Sequence, residues 1–410
     1  SRGAGVVVLA GYTQISYAVI VAVSLIPALL YFFSLAFYVR FEAYKQGMTL
    51  TNEQREPLLP LLLAEGLSCV VPVTLLIILL VAGFTPVYAG AIAIIAVVVT
   101  SWFTPVKMGL PAIFDALAMG ARNMVTTAVL LCAVGLIVNV IATAGIGNTF
   151  SLMIVDWAGG SLLIAILLVA LASLVLGMGL PVTASYIVLA TLSAPALFDL
   201  MANMEMVTAL TGDGLNDQVR AVLALTNPEV LQQTGLTPAQ ANALLASLPF
   251  ETLKLLQPML VDEARLTLIL LSAHLLIFWL SQDSNVTPPV CLCTFTAAAI
   301  AKTDPMATGF TSWKIAKALY ILPLLFAFSP LVTGNWAERL EVGLFALFGL
   351  YAFTSAVQGW GRHQLKSLQR GLTAIFAVVL LWPLPSALHI AALLLFLGFS
   401  YVGQRAQPRV

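Results

Sequence analysis

The residues best suited to chemistry lie in the stretch 281–289, Ser-Gln-Asp-Ser-Asn-Val-Thr-Pro-Pro. It separates two apolar runs, 265–280 and 290–300, each of which covers only about half to three-quarters of a bilayer at about 1.5 Å per residue. The runs together therefore predict one membrane span with a polar middle. Because Pro288 lacks an N–H donor and disfavours helical angles in the residue before it, we predict that one helix stops before Thr287 and that a new helix starts near Pro288.

Such a break leaves unpaired backbone groups at membrane depth, where they are tolerated only inside protein or beside a water-filled cavity. Broken helices of this kind hold substrates and coupling ions in secondary transporters. A carboxylate near the bilayer midplane, such as that of Asp283, costs about 3 kcal/mol on insertion scales and needs a partner. The alternative is a surface loop between two short helices, which is disfavoured because neither run spans a bilayer alone.

A second unusual segment, 160–198, is apolar on both sides of Gly-Met-Gly-Leu-Pro-Val-Thr-Ala-Ser-Tyr at 177–186. We interpret it as a re-entrant hairpin with a glycine turn at mid-membrane, because glycine supplies positive φ and lets a ligand approach the backbone. Two antiparallel spans joined by a surface turn, or one long kinked helix, are the alternatives.

The composition identifies a membrane protein. The chain is 60% hydrophobic and 9% charged, whereas a soluble domain averages about 25% charged residues. The net charge is zero, so nothing suggests a nucleic-acid partner. The four cysteines and three histidines show neither metal-ligand spacing nor a disulfide framework. The chain opens at Ser1 without an initiator methionine or signal peptide, and we expect it to begin part-way through a longer protein.

The chain divides into six predicted regions, each with its own apolar or polar character. They are 1–58 (a half-helix, a span at 15–38 and a cytoplasmic loop), 59–159 (scaffold spans at 66–83, 86–103 and 124–145, with an interfacial helix at 111–122), 160–200 (the hairpin), 201–263 (an acidic, helical, extramembrane insert), 264–333 (the broken helix and a span at 313–333), and 334–410 (spans at 337–358, 371–385 and 388–403, and a tail).

The distribution of Lys and Arg predicts the orientation of these regions. Placing the basic loops in the cytoplasm gives nine spans, a cytoplasmic C-terminus and an insert outside.

Gly11-Tyr12-Thr13 precedes a span with Pro27, and Gly309-Phe310-Thr311 precedes a span with Pro323. Because these two turns then face opposite sides, they indicate an inverted repeat. We expect the first hairpin and the first break to lie upstream of Ser1.

Several longer motifs carry a family resemblance. They are 177–186, Phe-Trp-Leu-Ser-Gln-Asp-Ser-Asn-Val-Thr-Pro-Pro-Val at 278–290, Ala-Ala-Ala-Ile-Ala at 297–301 with Asp304-Pro305, Tyr-Ile-Leu-Pro at 320–323, and Ser-Leu-Ile-Pro-Ala-Leu-Leu-Tyr at 24–31. The chain resembles the large membrane subunit of TRAP (tripartite ATP-independent periplasmic) transporters, in the fused form that works with TAXI-type binding proteins. It departs from the pattern in its missing first half and its long insert.

The resemblance implies an all-α, inverted-repeat, elevator-type symporter in the bacterial inner membrane, and no enzyme. A periplasmic TAXI-type protein would deliver a small organic acid, a small membrane (Q-type) segment or subunit would join the permease, and Na⁺ or H⁺ would couple uptake without any cofactor. The residues implied as substrate- and ion-binding come from the hairpin (Gly177, Gly179, Pro181, Thr183, Ser185) and from the break (Ser281, Asp283, Ser284, Asn285, Thr287, Pro288).

Physical chemistry supports these roles. Na⁺ prefers oxygen ligands, and we place it among Gly177, Thr183, Asn285 and Thr287. The helix restarting at Pro288 would point its positive N-terminal end at a substrate carboxylate. For Asp283 three roles stay open: it neutralises Na⁺, carries a coupling proton, or pairs structurally with an unseen group.

Besides a non-transporting scaffold fragment, two other functions compete with a binding-protein-dependent permease. One is a stand-alone sodium- or proton-coupled dicarboxylate symporter of the same fold. The other is an intramembrane enzyme using Asp283 or Ser281, which would need a second acid, base or nucleophile at the same depth. The enzyme is disfavoured because no Ser/His or Asp/Asp pair lies in adjacent spans.

Overall fold

The computed structural model describes residues 2–48, 66–105, 107–212, 217–226, 236–288, 291–361 and 364–405. Within these ranges the chain is helical, and the one β pairing is an isolated bridge between Trp360 and Gln364, so the all-α prediction is confirmed. Predictions that concern 49–65, Pro289 or the tail beyond 405 lie outside the described residues.

The helices follow one another with short connections. They are α1 (Arg2–Thr13), α2 (Tyr17–Lys45), α3 (Leu67–Val81), α4 (Pro86–Ser101), α5 (Leu110–Thr143), α6 (Ile146–Trp157), α7 (Leu162–Gly177), α8 (Val182–Thr211), α9 (Asp217–Thr226), α10 (Pro238–Ser247), α11 (Phe250–Leu260), α12 (Glu263–Ser281, continued by a 3₁₀ turn, Gln282–Asn285), α13 (Leu292–Ala301), α14 (Pro305–Ile315), α15 (Ala318–Phe328), α16 (Pro330–Thr333), α17 (Trp336–Gln358), α18 (Ser367–Leu381) and α19 (Ser386–Arg405).

Several helices have the length and composition to cross a membrane. Five segments qualify, namely α2, α8, α12 with its 3₁₀ turn, α14 with α15, and α17, and the end of α5 forms with α6 a sixth unit bent by 72°. The protein is therefore a multi-pass membrane protein. The apolar parts of α3, α4, α18 and α19 are shorter than a full crossing, so the count of nine spans stays a prediction.

One boundary in the predicted scaffold region is wrong. The interfacial helix at 111–122 and the span at 124–145 are one continuous helix, α5, of 34 residues. Pro111 stands at its start, where the missing N–H costs nothing, and no proline follows within it. Polar residues such as Arg122 do not break a helix, because straight-chain side chains lose little conformational freedom there.

Both predicted glycine-aromatic-threonine turns are also wrong. Residues Gly11 to Thr13 belong to α1, and the chain turns at Gln14, whose φ is +58°. Residues Gly309 to Thr311 lie inside α14. The two segments instead share a helix, a short break and a second helix that contains a proline, Pro27 in α2 and Pro323 in α15.

The predicted hairpin corresponds to α7 and α8, which pack against each other. However, α8 continues to Thr211, well past the predicted boundary at 200, and its 30 residues extend about 45 Å. The second arm is thus long enough to cross a bilayer alone, so a re-entrant hairpin and a pair of spans both stay open. The two arms differ in length, because α7 has only 16 residues.

The described residues of the insert beyond α8 form the helices α9 to α11, and α11 is attached to α8. Thr237 and Gln240 form a capping box at the start of α10. Lys254 on α11 pairs with Asp199 on α8, with Nζ and Oδ1 2.5 Å apart. One helical turn and a half further along α8, Glu205 pairs with Arg265 of α12.

The core lies where α8, α12 and α15 meet. Every residue of α12 from Leu271 to Ser281 is buried, which is the pattern of a helix surrounded by protein on all sides. Tyr186, Leu276 and Leu322 are its fully buried centre. The last three turns of α12, which lead into the break, are therefore packed against protein on all sides.

The last helices form a hairpin fastened by one arginine. Arg370 on α18 donates from Nε to the carbonyl of Ala356 at 2.6 Å and from Nη2 to that of Val357 at 2.9 Å. These carbonyls end α17 and have no partner within that helix. The positive charge also complements the negative end of the helix dipole.

We predict that Arg370→Met lowers the free energy of unfolding by about 1–3 kcal/mol, because two charge-assisted hydrogen bonds to helix-end carbonyls are lost. Thermal unfolding of the purified protein in detergent measures the change. Arg220→Met, at an exposed position, is the matched control and leaves the melting temperature unchanged. Equal melting of the two variants would contradict the capping role.

Candidate functional site

The turn between α7 and α8 lies against the 3₁₀ turn that ends α12. A Cβ atom at Gly177 would lie 3.3 Å from both the backbone nitrogen and the Cα of Ser284. Two segments that are far apart in the sequence therefore meet backbone to backbone. A larger residue at 177 would push the two turns apart.

The reason for the glycines differs from the one expected. Neither Gly177 nor Gly179 has a positive φ, so the prediction that the turn needs left-handed backbone is wrong. The chain leaves α7 through bonds from the N–H groups of Gly179 and Leu180 to the carbonyl of Leu176. A Cβ at Gly179 would meet nothing within 4 Å, so this part of the turn borders open space.

Asp283 is the charged centre of the break. It is 1% exposed, and its Oδ1 accepts hydrogen bonds from the hydroxyls of Thr287 and Tyr320. Tyr320, on α15, is a partner that the sequence did not reveal. Trp313 donates in turn to the Tyr320 hydroxyl at 3.0 Å. Among the described residues no cation forms an ion pair with Asp283.

Several buried polar atoms near the two turns have no hydrogen-bond partner in the described part of the chain. They include oxygens on all three elements that meet here: Ser173 Oγ on α7, Ser185 Oγ on α8, and Gln282 Oε1 and Asp283 Oδ2 on the break. Unsatisfied buried oxygens are costly unless something binds them. Oxygens of this kind, with one carboxylate among them, are the ligands that a hard cation such as Na⁺ prefers.

The other predicted residues of the break are held by local bonds. Ser281 Oγ donates to the carbonyl of Ile277, and Ser284 Oγ donates to that of Ser281. Asn285 is half-buried and its Oδ1 accepts from Cys293 Sγ at 3.8 Å. The two serines thus keep lone pairs free while their protons are used.

The predicted hairpin residues separate into two groups. Ser185 is fully buried, and Gly177 touches the break. Pro181 is exposed and Thr183 is half-buried in the first turn of α8. The structure therefore brings Gly177 and Ser185 to the packed side of the tip and leaves Gly179 and Pro181 at its open side.

The far side of the break rests on α14. A Cβ atom at Gly309 would lie 2.8 Å from Pro288 and 3.1 Å from the sulfur of Cys291. The restarted helix, α13, begins at Leu292, four residues later than predicted from Pro288. The expectation that a helix N-terminus stands at Pro288 is therefore wrong, since Cys291 is the N-cap of the restarted helix.

A second polar cluster lies one to two turns from the tip. Tyr186 OH and His274 Nδ1 are 3.0 Å apart, and both side chains are buried. Tyr12 on α1 bonds Thr191 on α8 at 3.0 Å and packs beside the His274 ring. These bonds join α1, α8 and α12, and they were not predicted from the sequence.

The sequence contained one signal for the hydrogen-bond partner of Asp283 that was missed, namely a tyrosine within an apolar span. A buried tyrosine hydroxyl usually finds a hydrogen-bond partner, and Tyr320 stands in the apolar run ahead of Pro323. Its partner, Asp283, lies far away in the sequence, so spacing could not supply the pair. Ser173 gave no signal in the sequence either, because serine is common in membrane helices.

Comparison with known proteins agrees with this arrangement. A family model described as "Tripartite ATP-independent periplasmic transporter, DctM component" matches residues 2–332, which include the hairpin, the break and α15. This confirms the resemblance to the large membrane subunit of TRAP transporters. The helices from α17 onward lie outside the match. No curated protein and no solved structure matches the chain.

We predict that Gly177→Val destabilises the protein by about 1–3 kcal/mol, because the side chain collides with the backbone of Ser284. The matched control is Gly179→Val, where the added atoms meet open space. Thermal unfolding in detergent compares the two. If both variants melt at the wild-type temperature, the close approach of the two turns is not a packing constraint.

Proposed function

Because this chain belongs to the DctM component family of tripartite ATP-independent periplasmic transporters, we propose that it is the membrane permease of a binding-protein-dependent secondary transporter. The observation that carries the proposal is the meeting of the α7–α8 turn with the break after α12, at Gly177 and Ser284. Transporters bind their cargo where broken helices expose backbone groups inside the protein.

The finer proposal is gradient-driven uptake of a small organic acid across the bacterial inner membrane, with the C-terminus in the cytoplasm. A periplasmic binding protein of the TAXI type delivers the acid, and a small membrane component completes the permease. Membership of the DctM family supports both partners, since the family name denotes one component of a tripartite system. The hairpin and the broken helix move together against the remaining helices, as in an elevator.

We assign the coupling ion as Na⁺. The support is chemical: buried oxygens without partners lie on α7, α8 and the break, among them the free carboxylate oxygen of Asp283. The predicted ion ligands Gly177, Thr183, Asn285 and Thr287 belong to the same elements. Of the three roles weighed for Asp283, we favour neutralising Na⁺. Its Oδ1 accepts hydrogen bonds from Thr287 and Tyr320, and Oδ2 would be the atom that binds the ion.

We expect proteoliposomes that contain the full-length protein with its small membrane component to accumulate labelled dicarboxylates or other small organic acids only when the binding protein and an inward Na⁺ gradient are both present. The reason is that the permease receives its substrate from the binding protein and has no other energy source. Radiolabel uptake measures this, with a pH gradient alone as the control.

Each other outcome changes a different part of the proposal. Uptake without the binding protein would indicate a stand-alone symporter of the same fold. Uptake driven by pH alone would remove Na⁺ as the coupling ion. Absence of uptake under every gradient, or hydrolysis of the substrate, would overturn the permease assignment.

We predict that Asp283→Asn raises the Na⁺ concentration for half-maximal uptake by about tenfold or more, because a unit charge beside the ion is removed. Asp115→Asn, on the exposed side of α5, is the control and leaves this concentration unchanged. A variant with lower thermal stability but an unchanged Na⁺ dependence would assign Asp283 to structural pairing instead.

A further inference from the structure

A groove runs between α15 and the three last helices, α17 to α19, away from the hairpin and the break. It consists of two adjoining cavities of about 470 Å³ and 270 Å³ that share Leu325, Ser329, Leu381, Trp382 and Pro383 on their walls. Phe328 and Trp382 stack across it with ring centroids 6.4 Å apart. The groove therefore lies along the contact between the family-matched part of the chain and the helices beyond it.

The smaller cavity is apolar. Its walls are Ile321, Leu324 and Phe328 of α15, Phe353 of α17, and Ala377 and Val378 of α18. All six side chains belong to helices, and Phe328 is the last residue of α15. This part of the groove suits hydrocarbon.

The larger cavity adds polar and charged residues, and these stand at helix ends. Arg265 lies in the first turn of α12, Glu338 in the first turn of α17, and His389 in the first turn of α19, while Glu341 is one turn further along α17. From Glu341 to Phe353 the groove follows α17 for about 18 Å. That distance is close to one leaflet of hydrocarbon, about 15 Å.

The charge at the polar end is negative. Arg265 is matched, because it binds Glu205 at 2.5 Å and also donates to the carbonyl of Thr333. Neither Glu338 nor Glu341 belongs to any ion pair among the described residues. Glu338 accepts one bond, from the N–H of Asn335. Arg339 interacts electrostatically with Glu338. The described lining of the polar end thus carries two carboxylates against one arginine, Arg265, whose charge Glu205 already balances.

We propose that this groove is a binding site for one phospholipid with a primary-amine headgroup, phosphatidylethanolamine. The acyl chains fill the cavity between α15 and α18, and the ammonium lies beside Glu338 and Glu341, with Arg265 within the same cavity for the phosphate. An anionic headgroup is disfavoured there because it would bring a net negative charge to two carboxylates. The site lies outside the proposed transport pathway and does not depend on transport activity.

The test uses the full-length protein reconstituted with equimolar phosphatidylethanolamine and phosphatidylglycerol, then extracted into detergent and examined by native mass spectrometry. We expect the wild-type protein to retain one phosphatidylethanolamine preferentially. Glu338→Gln with Glu341→Gln should reduce the ratio of retained phosphatidylethanolamine to phosphatidylglycerol by about tenfold. Glutamine still supports the capping box at Asn335, so α17 keeps its N-terminus.

A second variant tests the apolar part. Val378→Trp fills the cavity and should abolish retention of either lipid, while Leu372→Trp, on another face of the same helix and outside both cavities, should not. Glu251→Gln, on the exposed insert helix α11, controls for loss of a carboxylate. Correct folding of every variant is checked by gel filtration and thermal unfolding.

Three results would overturn the proposal: equal or preferential retention of phosphatidylglycerol by the wild-type protein, retention that Val378→Trp leaves unchanged, or displacement of all lipid by a co-purified helix of the small membrane component. The headgroup preference of the wild-type protein and the Val378→Trp result decide the question even if the double variant does not fold.

Discussion

The backbone contact between Gly177 and Ser284 is the constraint on which the rest of the centre depends. Two chain segments can approach this closely only if one of them has no side chain. Every other feature of the tip follows from keeping these turns together. The arms α7 and α8 support one side, α12 is buried for its last eleven residues on the other, and Gly309 of α14 makes room for Pro288 beneath.

Asp283 shows how an irregular segment is fixed without an ion pair. Its Oδ1 receives one hydroxyl from within the break, Thr287, and one from a neighbouring helix, Tyr320. The first bond closes the 3₁₀ turn locally, and the second ties the turn to α15. Burying a carboxylate without a cation costs folding free energy. The oxygen of Asp283 that lacks a partner among the described residues is therefore a better candidate for ligand binding than the hydroxyls around it, which already form hydrogen bonds.

Much of this could be predicted from the sequence, and the reasons for success and failure are physical. The break before Thr287 follows from proline, whose effect is local, whereas the turn at 177–181 was placed correctly although its glycines do not have the left-handed backbone that was expected of them. Their meeting followed from family resemblance and not from the residues alone. The pairs Asp283–Tyr320, Tyr186–His274 and Arg265–Glu205 join helices that are distant in the chain, and no spacing rule encodes them.

The errors have an equally local origin. Gly11 and Gly309 looked like turn residues, but a single glycine costs a helix only about 1 kcal/mol, and both helices continue through them. At Gly309 the glycine serves packing. The continuity of α5 through Arg122 shows the same principle: a change in polarity along the chain does not end a helix when no residue removes a hydrogen bond.

The attachment of the insert to α8 has a mechanical consequence. The pair of Lys254 with Asp199 fastens α11 to the helix that begins at the α7–α8 turn, and the pair of Glu205 with Arg265 fastens that helix to α12. Both pairs lie beyond Pro195, in the second half of α8. A displacement of this half of α8 would therefore be shared by α11 and α12, which couples the insert to the helix that leads into the break.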